Sequence, residues 1–266
     1  MKSTFLLFFL FTAYSSFAQW QAEVMVGMSG YSGDLSDSYF AGHTIGLAAN
    51  ANLKYSAFND RVVFRAGIGY GQIGAKDEKN TDLSLVARNL NFKSSILEGT
   101  LIAEFNLANP QENEVYPYVF AGVGAVKFDP YTFDKNNQKT YLQPLGTEGQ
   151  GLPEYPDRKM YSLTQFCLPF GVGVNVQMNE KFSVVYELGA RILFTDYLVD
   201  VSTTYPDQEI LFAGRGATAA ELSNRYTTQN RSYTGVQRGN PTSNDQYYYM
   251  GIKLLVNLGG YTNGYF

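Results

Sequence analysis

Cysteine, histidine and tryptophan each occur once in these 266 residues, as Cys167, His43 and Trp20. A single cysteine excludes an internal disulfide framework. A single histidine excludes a metal site built on two imidazoles or on a Cys/His cluster. Charge is sparse as well: 17% of residues are Asp, Glu, Lys or Arg, and the net charge of −4 offers no basic surface for nucleic acid. Long apolar runs are missing apart from Phe5–Phe11, which is too short to cross a bilayer as a helix. That run follows Lys2 and precedes the small-x-small site Ser16-Phe17-Ala18, the pattern of a cleavable secretory signal peptide. The expected organisation is therefore a removed leader over 1–18 and one domain over 19–266, with no cysteine near Gln19 to carry a lipid anchor.

The chain does contain aromatic residues in quantity, 21 Tyr and 19 Phe, and a two-residue hydrophobic beat that returns eight times. In Phe166–Gln177 one face reads Phe166, Leu168, Phe170, Val172, Val174, Val176 and the other Cys167, Pro169, Gly171, Gly173, Asn175, Gln177. A period of two belongs to a strand, because successive side chains point to opposite faces. The same beat runs through Trp20–Ser29, His43–Tyr55, Arg61–Gly71, Asn91–Leu107, Phe182–Phe194 and Gln246–Leu258. Over Tyr116–Phe128 the facing stays open, since both Tyr118/Phe120/Val126 and Val119/Ala121/Val123 suit an apolar exterior. The connections alternate: short after the second, fourth and sixth strands, longer after the others, longest at 129–160 and 202–245. A β-sandwich has no reason to keep that alternation. An eight-stranded antiparallel transmembrane barrel has one, with short periplasmic turns and long extracellular loops. Both termini then lie in the periplasm, and the apolar face meets outer-membrane lipid.

The inward face would hold Glu23, Glu98, Glu104 and Glu187 with Lys54, Arg61, Arg65, Arg191 and Lys253. Eight strands enclose only enough room for side chains, and unpaired buried charge is costly. A cross-braced lumen is expected, with Glu98, Glu104, Glu187, Arg191 and Lys253 as its core; a proton or ion path is the alternative. Glu187 and Arg191 lie four residues apart, roughly 13 Å along a strand, so each should pair with a neighbouring strand. Cys167 reads as a small lumen filler.

Little else suggests chemistry. His43 falls near a rim beside Ser36, Asp37 and Ser38, which would suit a lipid-modifying enzyme, but no nucleophile–base–orienter spacing accompanies it. Gly122-Val123-Gly124 and Gly171-Val172-Gly173 precede no helix, so they do not form a dinucleotide loop. No enzyme activity and no cofactor are expected. In the loops, Leu142–Gly151 combines Pro144 with Gly146, Gly149 and Gly151, which suits a fixed compact fold, and the corner Asp196–Tyr205 lies on the same side of the barrel. Glu148, Gln150, Asp196, Tyr197 and Asp200 are the candidate residues there. They would form either a self-braced lid, with Glu148 and Asp196 bonded to backbone amides, or a docking surface for a partner; under either reading Gln150 is expected to be reachable from outside the cell.

Several segments carry a family resemblance: Arg88-Asn89-Leu90-Asn91-Phe92, Pro117–Gly124 with Phe128-Asp129-Pro130, Leu142–Gly151, Glu187–Arg191, Thr195–Leu198, Asp200–Tyr205, and Arg238–Pro241 with Asp245. They resemble a group of Bacteroidetes-type outer-membrane barrels of unknown function that includes PorG-type components of the type IX secretion system. The resemblance implies a non-catalytic role in anchoring or assembling an envelope or secretion complex, with proteins of that complex as partners. Oligomeric state is left open.

Overall fold

The computed structural model describes residues 19–36, 42–228 and 231–259, so the expected leader lies outside the described residues. Long antiparallel strands carry the fold: β1 (Trp20–Ser32), β2 (Gly46–Ala57), β3 (Val62–Lys76), β4 (Asn91–Asn106) and β5 (Val115–Phe128), then β8 (Thr164–Gln177), β9 (Phe182–Leu193) and β10 (Gln246–Asn257). A short hairpin, β6 (Tyr131–Phe133) and β7 (Lys139–Tyr141), sits between β5 and β8. Each long strand pairs with its neighbours in the chain, and β1 pairs with β10, so the eight close into an up-and-down barrel. Among the described residues, no helix is long and apolar enough to cross a membrane.

The barrel is turned inside out relative to a soluble protein. Val26, Leu47, Ile68, Leu101, Phe166 and Val172 stand more than half exposed on the outer wall, whereas Glu23, Lys54, Arg65, Glu187 and Lys253 are buried inside. No soluble monomer keeps an apolar surface of that extent in water; the wall spans a membrane. The fifth strand's facing is settled by Tyr118, Phe120 and Val126 pointing inward and Val119 and Val123 outward.

At one end the turns are tight. Phe58, Asn59 and Asp60 reverse the chain with φ of 52°, 56° and 63°, a left-handed run that is unusual for a bulky residue such as Phe. Asn179 Oδ1 accepts from the amides of Lys181 and Phe182 at 2.9 Å each and closes the β8–β9 turn. The opposite end carries the long loops, with helices α1 (Leu83–Arg88), α2 (Gln208–Arg215) and α3 (Ala217–Ser223).

Strand limits at that end differ from the sequence expectation. β1 continues to Ser32 and β3 to Lys76, while β2 begins only at Gly46, after a 3-10 turn over Gly42–Thr44. Beyond the membrane the outward positions no longer need to be apolar: Gln72 and Lys76 face out while Ile73 and Ala75 stay buried. The strand persists after its hydrophobic beat has gone. Tyr248 has outward parity but is buried, its ring lying over Gly30 on β1, where a Cβ would meet it at 2.2 Å.

Candidate functional site

The lumen is filled in three layers. The middle layer is ionic. Arg65 on β3 reaches Glu187 on β9 at 2.7 Å, joining strands on opposite sides of the barrel. Arg65 also meets Glu104 at 2.9 Å, and Lys54 meets Glu104 at 2.7 Å. Lys253 bridges Glu23 at 2.9 Å and Glu187 at 2.6 Å. The Tyr118 hydroxyl donates to Glu187 at 2.6 Å. Three carboxylates (Glu23, Glu104, Glu187) thus face three cations (Lys54, Arg65, Lys253). A little further toward the long loops, Arg191 pairs with Glu98 at 3.1 Å, and Glu98 also accepts from the Tyr247 hydroxyl at 2.6 Å. The eight charges sum to zero.

All five residues expected in this network lie in it, and neither Glu187 nor Arg191 pairs with the other. Arg61 does not join them. It sits at the β2–β3 turn and donates to the carbonyls of Asn106 and Leu107 at 3.3 and 3.4 Å. Glycines make room for the long side chains. A Cβ on Gly69 would meet Glu98 Cγ at 2.9 Å, and one on Gly173 would meet the Tyr118 ring at 2.3 Å.

Toward the tight turns, a polar vestibule of about 340 Å³ is lined by carboxamides including Gln21, Asn106, Asn175 and Asn257. Lys54, Glu104 and Tyr118 form part of its wall, so it abuts the ionic layer. Toward the long loops the filling is apolar, with Tyr31, Ile73, Phe92, Ile96, Phe128, Leu193 and Val199 packed together.

Above that apolar layer sits a braced cap. Gly146, Gly149 and Gly151 take φ of 57°, 81° and 74°, which turns the Glu148 carboxylate inward. It accepts from the amides of Ser202 (2.9 Å) and Thr203 (3.0 Å), the Thr203 hydroxyl (2.7 Å), the Tyr197 hydroxyl (3.2 Å) and Arg238 (3.0 Å). Asp200 accepts from Thr147 at 2.5 Å and Tyr161 at 2.8 Å, and its carbonyl accepts from Arg238. Asp196 accepts from the Ser202 hydroxyl rather than from a backbone amide of a neighbouring residue. Gln150 Oε1 holds the Glu148 amide at 2.9 Å.

The expected accessibility of Gln150 is corrected: Glu148, Gln150 and Asp200 are 0% exposed, and Asp196 and Tyr197 are half-buried. The glycine turns and the five donors around Glu148 point its carboxylate into the cap. His43 lies in the Gly42–Thr44 turn, and its side chain lies outside the described residues.

Two arginines organise the cap. Arg238 joins Glu148, Asp200 and the Ser223 carbonyl; Arg88 chelates Asp77 at 2.7 and 2.8 Å and donates to the carbonyls of Arg238 and Asp34. Both fall in segments that carry the family resemblance, but nothing in their spacing predicts which acids they meet. Buried acids outnumber these cations. Burial pushes Asp200 up to about 6 and Asp245 well above the usual carboxylate range, although hydrogen bonds oppose it in both.

A closed eight-stranded barrel with an apolar wall and a plugged, charge-paired lumen defines an integral membrane protein. Residues 1–216 match the model of a family described as a domain of unknown function, DUF6089, and the chain belongs to that family. No curated protein matches it in sequence. Among solved structures it is similar to Neisserial surface protein A, at 10% identity and a TM-score of 0.43, over 90% of this chain and 97% of that one. It is also similar to a major outer membrane protein of Thermus thermophilus, at 13% identity and a TM-score of 0.42, over 89% and 98% of the two chains. The attachment invasion locus protein Ail of Yersinia pestis aligns at 10% identity and a TM-score of 0.37, over 89% and 97%.

Proposed function

We propose that this chain is a non-catalytic outer-membrane barrel that anchors or helps assemble an envelope or secretion complex, as a PorG-type component would. The carrying observation is the balanced layer of eight buried charges joining opposite walls of the lumen. Among the described residues every charge of this layer has a counter-charge within reach, which supports a closed lumen over a conducting one. The barrel's working surfaces are then the outer wall, the cap rim and the mouth of the vestibule. The long loops are assigned to the extracellular side and both termini to the periplasm, on the asymmetry of turn lengths. The test has two arms. Protein reconstituted in planar bilayers should pass no ion current, and chemical crosslinking in native outer membranes should recover the same envelope proteins reproducibly. Steady single-channel currents, or a monomer that crosslinks to nothing, would overturn the proposal.

A further inference from the structure

We propose that the long-loop end of the β3–β4–β5 wall, together with the β6–β7 hairpin, binds phosphate groups of lipid headgroups in the adjacent leaflet. The proposal rests on the membrane reading above and adds a ligand class to its outer wall. Lys76, Lys93, Lys127 and Lys139 all face outward and are exposed on these elements. The described outward positions at the long-loop ends of β1, β2, β8, β9 and β10 carry no Lys or Arg. Among the described strand residues at that end, the outward positive charge is thus gathered on one side. Lys76 lies 3.6 Å from Glu78, whereas Lys93, Lys127 and Lys139 make no ion pair among the described residues.

The lysines are arranged around aromatic and hydroxyl groups. The Lys139 ammonium lies 4.0 Å from the centre of the Tyr131 ring and 4.7 Å from that of Tyr141. Tyr131 is the register partner of Lys93, which sets Lys93 on the strand beside the hairpin. Lys127 pairs with Leu97, four residues along β4 from Lys93, which is about 13 Å. Between those levels the Tyr70 hydroxyl donates to Ser95 Oγ at 3.2 Å and accepts from Gln72 at 3.3 Å. Below Lys127 the wall turns apolar, with Leu101 and Val123 exposed. The patch therefore begins where acyl chains end. Lysine stems can lie along the apolar wall while their ammonium groups reach headgroups, and unpaired cations select anionic headgroups over neutral ones.

The test uses purified full-length mature protein in nanodiscs of phosphatidylcholine with or without phosphatidic acid, released and weighed by native mass spectrometry. Wild type should retain phosphatidic acid over phosphatidylcholine, and the triple variant K93Q/K127Q/K139Q should retain it about a hundredfold less, at roughly a factor of five per lysine. K181Q, at the tight-turn end, should match wild type. Equal retention by wild type and the triple variant, or no preference between the two lipids, would overturn the proposal. Displacement of the lipid by inorganic phosphate would assign the patch to a solute anion and overturn the lipid commitment. The underlying topology is tested separately: K93C should react with a membrane-impermeant maleimide in intact cells. Reaction only after permeabilisation would refute the orientation while leaving the lipid result standing.

Discussion

Removing both partners of one pair from the ionic layer should cost less than the sum of removing each alone. Glu187 takes charge-assisted bonds from Arg65 at 2.7 Å and Lys253 at 2.6 Å, and a hydroxyl bond from Tyr118 at 2.6 Å. Glu187→Met leaves two carboxylates, Glu23 and Glu104, facing three cations, and strands a positive charge in the wall. Arg65→Met leaves three carboxylates facing two cations. Breaking one side of a buried pair typically costs about 3–5 kcal/mol, whereas replacing both sides with apolar residues is often close to neutral. The double variant returns the layer to two against two. The singles should each be destabilised by about 3–5 kcal/mol, and the double should recover roughly 2–3 kcal/mol of their sum. The assay is reversible urea unfolding from lipid vesicles, with m-values compared to confirm that the transition itself is unchanged. Strict additivity of the two substitutions would refute the balanced network, because it would mean that Arg65 and Glu187 do not sense each other across the barrel.

Val172→Arg on the exposed wall of β8 should lose about 2–4 kcal/mol if it meets the bilayer near its midplane; a variant as stable as wild type in vesicles would reverse the assignment of the outer face. Gln150→Cys should resist a bulky hydrophilic thiol reagent while Lys159→Cys reacts at once, since Gln150 is buried in the cap and Lys159 is exposed; equal rates would show an open cap. Glu148→Ala removes the acceptor for five donors and should lower the cap's melting temperature without preventing barrel insertion, read by protease resistance of the loops beside heat-modifiable gel mobility. Burial raises Asp200 from 3.8 to about 6, so the folded cap holds this proton more tightly than the unfolded chain does. Its stabilising contribution is full below 3.8 and is lost as pH rises through about 6, a change of about 3 kcal/mol. Hydrogen exchange of the cap amides should therefore quicken across that window in wild type, with that share of the change absent in Asp200→Asn; an identical pH profile in the variant would refute the assignment.

The barrel was legible in the sequence because lipid imposes a rule on every second residue. Val172 and Val174 must be apolar outside, and Gly171 and Gly173 must be small or polar inside, so periodicity reports the fold directly. The lumen was legible for the same reason, since parity alone places Glu98, Glu104, Glu187, Arg191 and Lys253 within. Where the rule lapses, legibility goes with it. The ends of β1 and β3 rise beyond the lipid, and their outward Ser32, Gln72 and Lys76 carry no apolar mark. The β6–β7 hairpin and the three short helices have no repeated pattern to announce them. Tyr248 shows a different failure: its parity is right, but Gly30 on the neighbouring strand opens a space that the ring fills. The cap was read only as a choice between lid and docking surface, because contacts such as Arg238 with Glu148 join residues far apart in the chain and leave no local trace.

The three layers of the lumen also bear on where this protein can act. An ionic layer alone could leak if its pairs exchanged partners, and an apolar layer alone could admit a small nonpolar solute. Stacked in series, each blocks what the other would pass: Ile96, Phe128 and Leu193 exclude ions, while Arg65, Glu187 and Lys253 hold the walls together beneath them. The cap adds a third closure, fastened by Arg88 and Arg238 to acids contributed by separate loops. Such redundancy supports the proposed anchoring role, for which the exterior, with its lysines on the β3–β5 wall and its aromatic hairpin, is the proposed working surface.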